Sequence, residues 1–192
     1  MTFALSPSTS ESKDTRSAAH IKLRWAAQGM RWLSAAYAAW VLWQVLNWWL
    51  DTERLTKLMG NYLQRDLSGM AVWQRMGGLG LDLIAWALLL AAVVYGWRFL
   101  GSLSESVSFS ELSAHQFMRC AQFAIACQAL TLLTRPVQSY LYTAHLAPAE
   151  QLFQWQFRLH DLQSTILCLA LLMFALIYAW ARDIAEENKR FV

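Results

Sequence analysis

The sequence predicts an all-α membrane protein, a four-transmembrane-helix bundle with its N- and C-termini in the cytoplasm. Of the 192 residues, 57% are hydrophobic and 15% are charged, whereas soluble domains contain about 25% charged residues. Four apolar segments are each long enough to cross a hydrocarbon core of about 30 Å. The alternation of apolar and polar residues that indicates a half-buried strand is missing from the sequence.

The elements follow in order along the chain. Residues 1–24 are mostly polar and lack helical periodicity, so a disordered cytoplasmic arm is expected. Residues 25–192 are expected to form a single membrane domain, with spans at about 31–50, 79–100, 117–140 and 162–181. Trp48 and Trp49 close the first span in the manner of an interfacial aromatic belt.

The basic residues predict the orientation of the spans, because Lys and Arg are enriched in the cytoplasmic segments of membrane proteins. Of the 16 basic residues, six flank the predicted outer ends of the spans, namely Arg54, Lys57, Arg65, Arg75, Arg135 and Arg158. The other ten lie in the arm, near the inner ends of the spans or in the tail. This bias places both termini inside a bacterial cytoplasmic (inner) membrane.

The segment between the first two spans, residues 51–78, has the pattern of an amphipathic helix. Seven apolar residues share one face at 100° per residue, namely Leu55, Leu58, Met59, Tyr62, Leu63, Met70 and Trp73. Asp66 interrupts this face, and two glycines weaken the helix. A helix lying on the outer leaflet is expected, and a lid over a pocket between the spans is the alternative.

Arg135 and Pro136 interrupt the third span near its outer end. Arg119 lies sixteen residues earlier, which is about 24 Å at 1.5 Å per residue. Two arginines at that separation can each extend to an opposite membrane surface. The spacing therefore favours the membrane surface at Arg135, where the helix meets water, with the proline bending or loosening the last turn.

Arg135 is also the centre of a candidate buried charge cluster with Asp82 and Asp161. All three residues are expected near the outer ends of their spans. Ionisable groups at membrane depth usually face the bundle and pair with one another. We therefore expect an Arg135–Asp82 or an Arg135–Asp161 pair that pins the helix ends together. A substrate or proton site is the alternative.

The sequence predicts no catalytic, cofactor-binding or metal-binding residues. None of the four histidines lies at the middle of a span, where a haem would need its ligands, although a surface metal at His145 and His160 is left open. The three cysteines are isolated in apolar runs and are expected to be small buried side chains. The "GGLGLD" stretch at 77–82 lacks the Gly-Lys-Ser/Thr of a phosphate loop. The net charge of +3 is small and dispersed, which argues against nucleic acid.

Two inner segments have more specific patterns. In the turn at 101–119, Ser110 follows Phe109 as a plausible helix N-cap, with Glu111 in the favourable first turn. In the tail, Arg182 and Glu186 lie four residues apart, so the last span is expected to continue into the cytoplasm as a charged helix.

These segments resemble the bacterial family known as domain of unknown function 2975. The resemblance covers about residues 30–192 and rests on "SFSELSAHQFMR" at the entry to the third span, Pro136 near its far end and the "IAEENKRFV" terminus. It implies an integral membrane protein without an established activity, whose relatives often neighbour a small helix-turn-helix regulator. The matching positions would serve cytoplasmic interaction or packing, not catalysis: Phe109, Ser110, Arg119, Pro136, Glu186, Glu187, Asn188 and Val192.

The sequence therefore predicts a non-enzymatic small membrane subunit or adaptor that lies in the lipid bilayer and acts through a protein partner. The partner is another membrane subunit or a cytosolic protein that meets the inner turn and the tail, and a homo-oligomer is left open. One alternative is a small transporter or channel subunit that uses the outer Arg/Asp cluster. A second alternative is a membrane redox or lipid-modifying enzyme with a cofactor or lipid in the outer pocket.

Overall fold

A computed structural model describes residues 9–104 and 110–190, and within them every regular element is a helix. The helices are α1 Thr9–Leu50, α2 Thr52–Leu63, α3 Val72–Ser104, α4 Glu111–Thr143 and α5 Leu159–Arg190. Residues 64–71 connect α2 to α3, and residues 144–158 connect α4 to α5. The all-α prediction is confirmed over this part of the chain.

The four long helices form a row in the order α1, α3, α4, α5, each antiparallel to the next. Trp49, near the end of α1, contacts Asp82 in the first half of α3. Arg31, earlier in α1, contacts Trp97 near the end of α3. Over the described ranges, α1 and α5 have no backbone contact with each other. The predicted four-helix bundle is therefore an open row over these ranges, because its two edge helices do not meet.

Small side chains allow neighbouring helices in the row to approach closely. The Cys127 thiol on α4 donates to the Ala85 carbonyl on α3 at 3.3 Å, and the Cys168 thiol on α5 donates to the Ala124 carbonyl on α4 at 3.7 Å. Helices in a membrane associate through such close packing and through hydrogen bonds. The hydrophobic effect does not drive this association, because lipid tails are as apolar as the side chains. The cysteines thus serve the helix contacts as free thiols.

Three helices in the described chain are long and apolar enough to cross a membrane: Val72–Ser102, Glu111–Thr143 and Leu159–Asn188. The chain is therefore a multi-pass membrane protein. The predicted first span, 31–50, is not among these helices. Gln44, Asn47 and five tryptophans lower the hydropathy of this part of α1, because the indole ring is amphipathic and favours the membrane–water interface.

The prediction of a disordered arm over 1–24 is wrong for residues 9–24, which form the N-terminal part of α1. Residues 1–8 lie outside the described residues. The stretch contains strong helix formers such as Glu11, Ala18 and Ala19. Once the apolar part of α1 has nucleated a helix, adding each further residue of this kind costs little.

The predicted third span, 117–140, lies within α4, which runs through a fully buried Pro136 to Thr143. The membrane boundary expected at Arg135 stays a prediction. Hydroxyl groups on the same helix bond backbone carbonyls around the proline: Thr131 donates to Cys127 at 2.8 Å and Ser139 donates to Arg135 at 3.1 Å. Neither bond reaches the Leu132 carbonyl, which loses its helical donor because proline has no N–H. Packing from neighbouring helices is one of the features that let a membrane helix contain a proline.

Serines and aromatic rings join the neighbouring helices at the end of the molecule where α3 finishes and α4 begins. Ser110 is the N-cap of α4, with its hydroxyl accepting the Ser113 backbone N–H at 3.1 Å, so the cap prediction is confirmed. The Ser113 hydroxyl donates to Ser102 on α3 at 2.9 Å. Phe99 stacks on Phe117 with ring centroids 4.4 Å apart. This inner turn is therefore anchored to the helices that it connects.

The remaining positions of the family resemblance are mostly on the surface. Arg119 is exposed and lies 3.4 Å from His115, and Arg182 lies 4.0 Å from Glu186. Glu186, Glu187 and Asn188 are exposed near the end of α5. Phe109 and Val192 lie outside the described residues.

Candidate functional site

A polar cleft of about 290 Å³ lies at the end of the row where α1 and α4 finish and α3 and α5 begin. Its polar lining comes from three elements and consists of Asp82, Arg135, Gln138, Ser139, Gln156 and Arg158. Its aromatic and apolar wall consists of Trp48, Met59, Leu63 and Tyr142. The cleft thus combines charged groups of both signs with an apolar wall, as small-ligand sites do.

The Arg135–Asp161 ion pair joins α4 to α5 beside this cleft. The two terminal guanidinium nitrogens, Nη1 and Nη2, each donate to one carboxylate oxygen, in the planar bidentate geometry that arginine favours. The Arg135 side chain is 18% exposed and that of Asp161 is 6% exposed. Arg135 also donates to the Gln156 carbonyl at 2.7 Å, and the Arg158 backbone N–H donates to Asp161 at 2.7 Å. The pair therefore also fixes the connection that precedes α5.

Asp82 takes part in a different set of contacts. Its carboxylate accepts hydrogen bonds from Trp49 Nε1 on α1 at 2.7 Å and from Gln138 Nε2 on α4 at 2.6 Å. No cationic side chain of the described residues lies within ion-pair distance of Asp82. Of the two pairings that the sequence left open, the structure forms Arg135–Asp161 and links Asp82 to neutral donors.

Trp49 is placed by a glycine one turn before Asp82. A Cβ atom at Gly78 would overlap the Trp49 ring, so only glycine leaves room for the indole. Gly78 and Asp82 are four residues apart and share a face of α3. The ring also stacks on Tyr142 with centroids 5.7 Å apart. The predicted interfacial belt is therefore wrong for Trp49, which is 4% exposed and belongs to the site.

The segment that follows α1 covers the cleft. Leu55 and Leu63 of α2 and Leu67 and Met70 of the next turn are buried in a cluster with Trp49 and Tyr142. Leu58 and Tyr62 are exposed. The apolar face of α2 thus packs mainly on the protein, and Met59 and Leu63 line the cleft. This arrangement matches the lid alternative better than a helix lying on lipid.

The turn between α2 and α3 is held by side-chain bonds at its start. α2 ends at Leu63, and Gln64 adopts a left-handed conformation with φ of 54°. The Ser68 backbone N–H donates to the Asp66 carboxylate at 2.9 Å and holds the pKa of Asp66 below its ordinary value. Because the ionised form is favoured in the fold, this contact is present at neutral pH and is lost as the pH falls through that lowered pKa.

The connection between α4 and α5 is tied to the same region. The Gln74 side chain is 1% exposed; it accepts the Ala71 backbone N–H and donates to the Leu141 carbonyl, each at 2.7 Å. The Thr143 hydroxyl accepts the Leu152 backbone N–H at 2.9 Å. These bonds place both connections around the mouth of the cleft.

A second cavity of about 320 Å³ lies on the other side of Asp82, between α1 and α3. It is lined by Gln44, Val45, Asn47, Trp48, Arg54 and Asp82. Asp82 and Trp48 thus border both cavities. The two polar cavities therefore lie at the same end of the long helices.

The sequence identified the charged residues of the site and missed their neutral partners. Arg135, Asp82 and Asp161 all lie at or beside the cleft, as expected from their depth in the spans. Trp49 and Gln138 were not expected there. The "GGLGLD" stretch contained a signal for Trp49, since a glycine four residues before an aspartate leaves space beside that carboxylate, but nothing in the sequence indicates which ring enters it.

The described residues place charged, amide and hydroxyl side chains around the cleft. Groups of three or more His, Cys, Asp or Glu that could hold a metal ion do not occur among them. No protein-family model, no curated protein and no solved structure matches this chain.

Proposed function

We propose that this chain is a four-span protein of the bacterial cytoplasmic membrane, with both termini in the cytoplasm, and that it acts as a non-enzymatic subunit by binding a partner protein. The fourth crossing is α1. Its contacts with α3 extend from Arg31, which stacks on the Trp97 ring, to Trp49 beside Asp82. A helix that packs along a membrane-spanning neighbour over this length is expected to cross with it.

The observation that carries the partner proposal is the composition of the free face of α1. Leu33, Tyr37 and Trp40 are 65%, 58% and 59% exposed, and Gln44 is also exposed. Their spacing of four, three and four residues places them on one stripe of the helix. Gln44 also lines the second cavity, so the Tyr37 hydroxyl is a polar group that belongs to this stripe alone. Lipid tails offer that hydroxyl no hydrogen-bond partner, whereas polar side chains in membrane helices commonly bond to another helix. A second membrane subunit would cover this stripe, and a second copy of the chain is one form that it could take.

The test is photo-crosslinking in the membrane of living cells. A photoreactive amino acid at Trp40 is expected to yield a discrete protein adduct, and the same amino acid at Phe174 serves as the control. Phe174 lies on α5 and is 63% exposed, which closely matches Trp40. A protein adduct confined to position 40 supports the proposal, and its mass distinguishes a second copy from a different subunit. Lipid adducts alone at both positions would contradict it.

The predicted cytoplasmic partner has a separate candidate surface. Glu186, Glu187 and Asn188 are exposed at the end of α5, and the family resemblance, which stays a prediction, implies a role for them in interaction or packing. A photoreactive group at Glu187 tests this surface in the same experiment.

A small transporter or channel subunit is the second candidate function, because Asp82 and Trp48 border two polar cavities. Ionisable side chains inside membrane spans commonly mark cation or proton pathways. Purified protein in liposomes loaded with a pH-sensitive dye tests the proton case. Proton flux that Asp82→Asn abolishes supports it, whereas wild-type vesicles no more permeable than empty ones contradict it.

A further inference from the structure

The Asp82 carboxylate has binding capacity that the described residues leave unused. Its two donors, Trp49 Nε1 and Gln138 Nε2, are neutral, whereas Asp161 is neutralised by Arg135. A carboxylate has about four lone-pair sites, so two remain after these bonds. The cleft therefore presents an anionic acceptor that suits a cation bearing several N–H groups.

Another part of the same cleft carries a cation with spare capacity. Arg158 lines the cleft and is exposed. Its backbone N–H bonds Asp161, but its guanidinium forms no ion pair within residues 9–104 and 110–190. A guanidinium presents a planar fork of donors that matches phosphate oxygens. One cleft thus offers a site for a cation and a site for a phosphate.

The aromatic wall of the cleft favours an ammonium. Trp48 borders the cleft next to Asp82, and its Nε1 lies 3.4 Å from the Tyr142 hydroxyl, which helps to fix the ring. Indole faces attract ammonium groups through cation–π interactions. The cleft volume of about 290 Å³ is at the lower end of the range for ligand sites, so it suits a head group better than an acyl chain.

We propose that the cleft binds a zwitterion in which a primary ammonium is joined to a phosphate, with the ammonium at Asp82 and the phosphate at Arg158. Ethanolamine phospholipids and free glycerophosphoethanolamine share this chemistry. The lipid source rests on the membrane position proposed above, whereas the soluble source does not. The inference goes beyond the partner proposal, and the two can fail independently, because the binding measurement does not involve the free face of α1.

Native mass spectrometry of the delipidated full-length protein in detergent tests the proposal. Phosphatidylethanolamine, phosphatidylcholine and phosphatidylglycerol are added one at a time. The ethanolamine lipid is expected to be retained at least about tenfold better than the other two, because a trimethylammonium has no N–H groups for Asp82 and glycerol has no cation. Equal retention of all three lipids would overturn a lipid ligand.

The soluble source is tested in the same instrument with glycerophosphoethanolamine. Displacement of the ethanolamine lipid, or direct binding where the lipid is not retained, shows that the head group is sufficient and supports the site. Retention of the lipid without displacement supports it with the lipid as the source. If neither compound binds, the proposal is overturned.

Variants assign the binding to the cleft. Asp82→Asn is expected to reduce retention of the bound ligand about tenfold, whereas Asp66→Asn makes the same chemical change on the lid surface and should leave retention unchanged. Arg158→Gln tests the phosphate end and is expected to fold, because its side chain is exposed and the Asp161 bond uses its backbone N–H. Ligand retention unaffected by Arg158→Gln and by a folded Asp82→Asn would overturn the assignment.

Discussion

Gly78 and Trp49 show how single residues build the cleft end of the molecule. A glycine inside a helix costs roughly 0.5–1 kcal/mol relative to alanine. Here the missing Cβ admits the Trp49 ring, which stacks on Tyr142 and donates to Asp82. The cost of the glycine is therefore offset by a buried aromatic contact and by a hydrogen bond to a carboxylate.

Alanine at Gly78 is expected to displace Trp49. The added Cβ overlaps the ring, so Gly78→Ala should lower the free energy of unfolding in detergent by about 1–3 kcal/mol. Gly80→Ala is the matched control, because nothing lies within 4 Å of a Cβ at that position; it should be neutral or slightly stabilising. Two equally stable variants would show that Trp49 does not occupy this space.

The Arg135–Asp161 pair is expected to stabilise the junction of α4 and α5. Arg135→Ala leaves a largely buried carboxylate without its partner, which typically costs about 3–5 kcal/mol. Arg182→Ala is the control, since it removes an ion pair to Asp183, whose side chain is 55% exposed, and should cost less than about 1 kcal/mol. Denaturant unfolding in detergent measures both variants. Similar losses from the two would contradict a structural role for the buried pair.

The charged residues of the site were predictable from the sequence, but their pairing was not. Charges near the ends of apolar segments reveal their depth in the membrane, which brought Arg135, Asp82 and Asp161 to one end of the molecule. Pairing depends on the rotation of each helix about its axis. One apolar segment constrains that rotation weakly, because nearly all of its faces are apolar.

At the scale of elements, α2 illustrates an amphipathic helix whose apolar face could meet lipid or protein. The helical period predicted the element itself. The sequence could not reveal what it covers, since the apolar face is the same in both cases. In the structure, fully buried Leu55 packs on the end of the row while Leu58, three residues later, is 48% exposed. The burial of individual residues thus shows which side of α2 faces the protein.

The lid is expected to depend on its protein contacts. Leu55→Ala should destabilise the packed lid by about 2–5 kcal/mol through the cavity that it leaves, whereas Leu58→Ala should change stability by about 0.5 kcal/mol or less. Limited proteolysis in detergent at the basic residues of 54–75 reports lid opening. Faster cleavage of Leu55→Ala alone is the expected result. Equal cleavage of both variants would indicate that α2 lies on the detergent or lipid surface.

α4 contains a proline inside a membrane-spanning helix. Arg135 and Pro136 lie within the predicted third span, and α4 continues through them to Thr143. Proline removes one backbone N–H and leaves the carbonyl four residues earlier without its helical donor. Pro136 is fully buried, and such tertiary packing is not visible in a local pattern.

At the scale of the whole molecule, the open row leaves α1 and α5 as edges with different compositions. The exposed side chains in the middle of α5 are largely aliphatic, including Ile166, Leu167 and Leu169, and suit lipid. The exposed stripe of α1 includes Tyr37 and Trp40, whose polar groups suit a protein neighbour. The sequence predicted four apolar segments and thus the number of long helices. It did not predict that the row stays open, because closure depends on contacts between edges, which leave no local pattern.

The central claim is that α1 crosses the membrane beside α3, so that the cleft and its lid lie outside and both termini lie in the cytoplasm. Labelling of single cysteines in intact cells tests it most directly, in a chain whose own three cysteines are replaced by serine. A membrane-impermeant thiol reagent is expected to modify a cysteine at Lys57 on the lid. Cysteines at Lys22 and Glu187 should react only after the cells are permeabilised. Labelling of position 22 in intact cells together with position 57 would show that α1 does not cross, and would contradict the account.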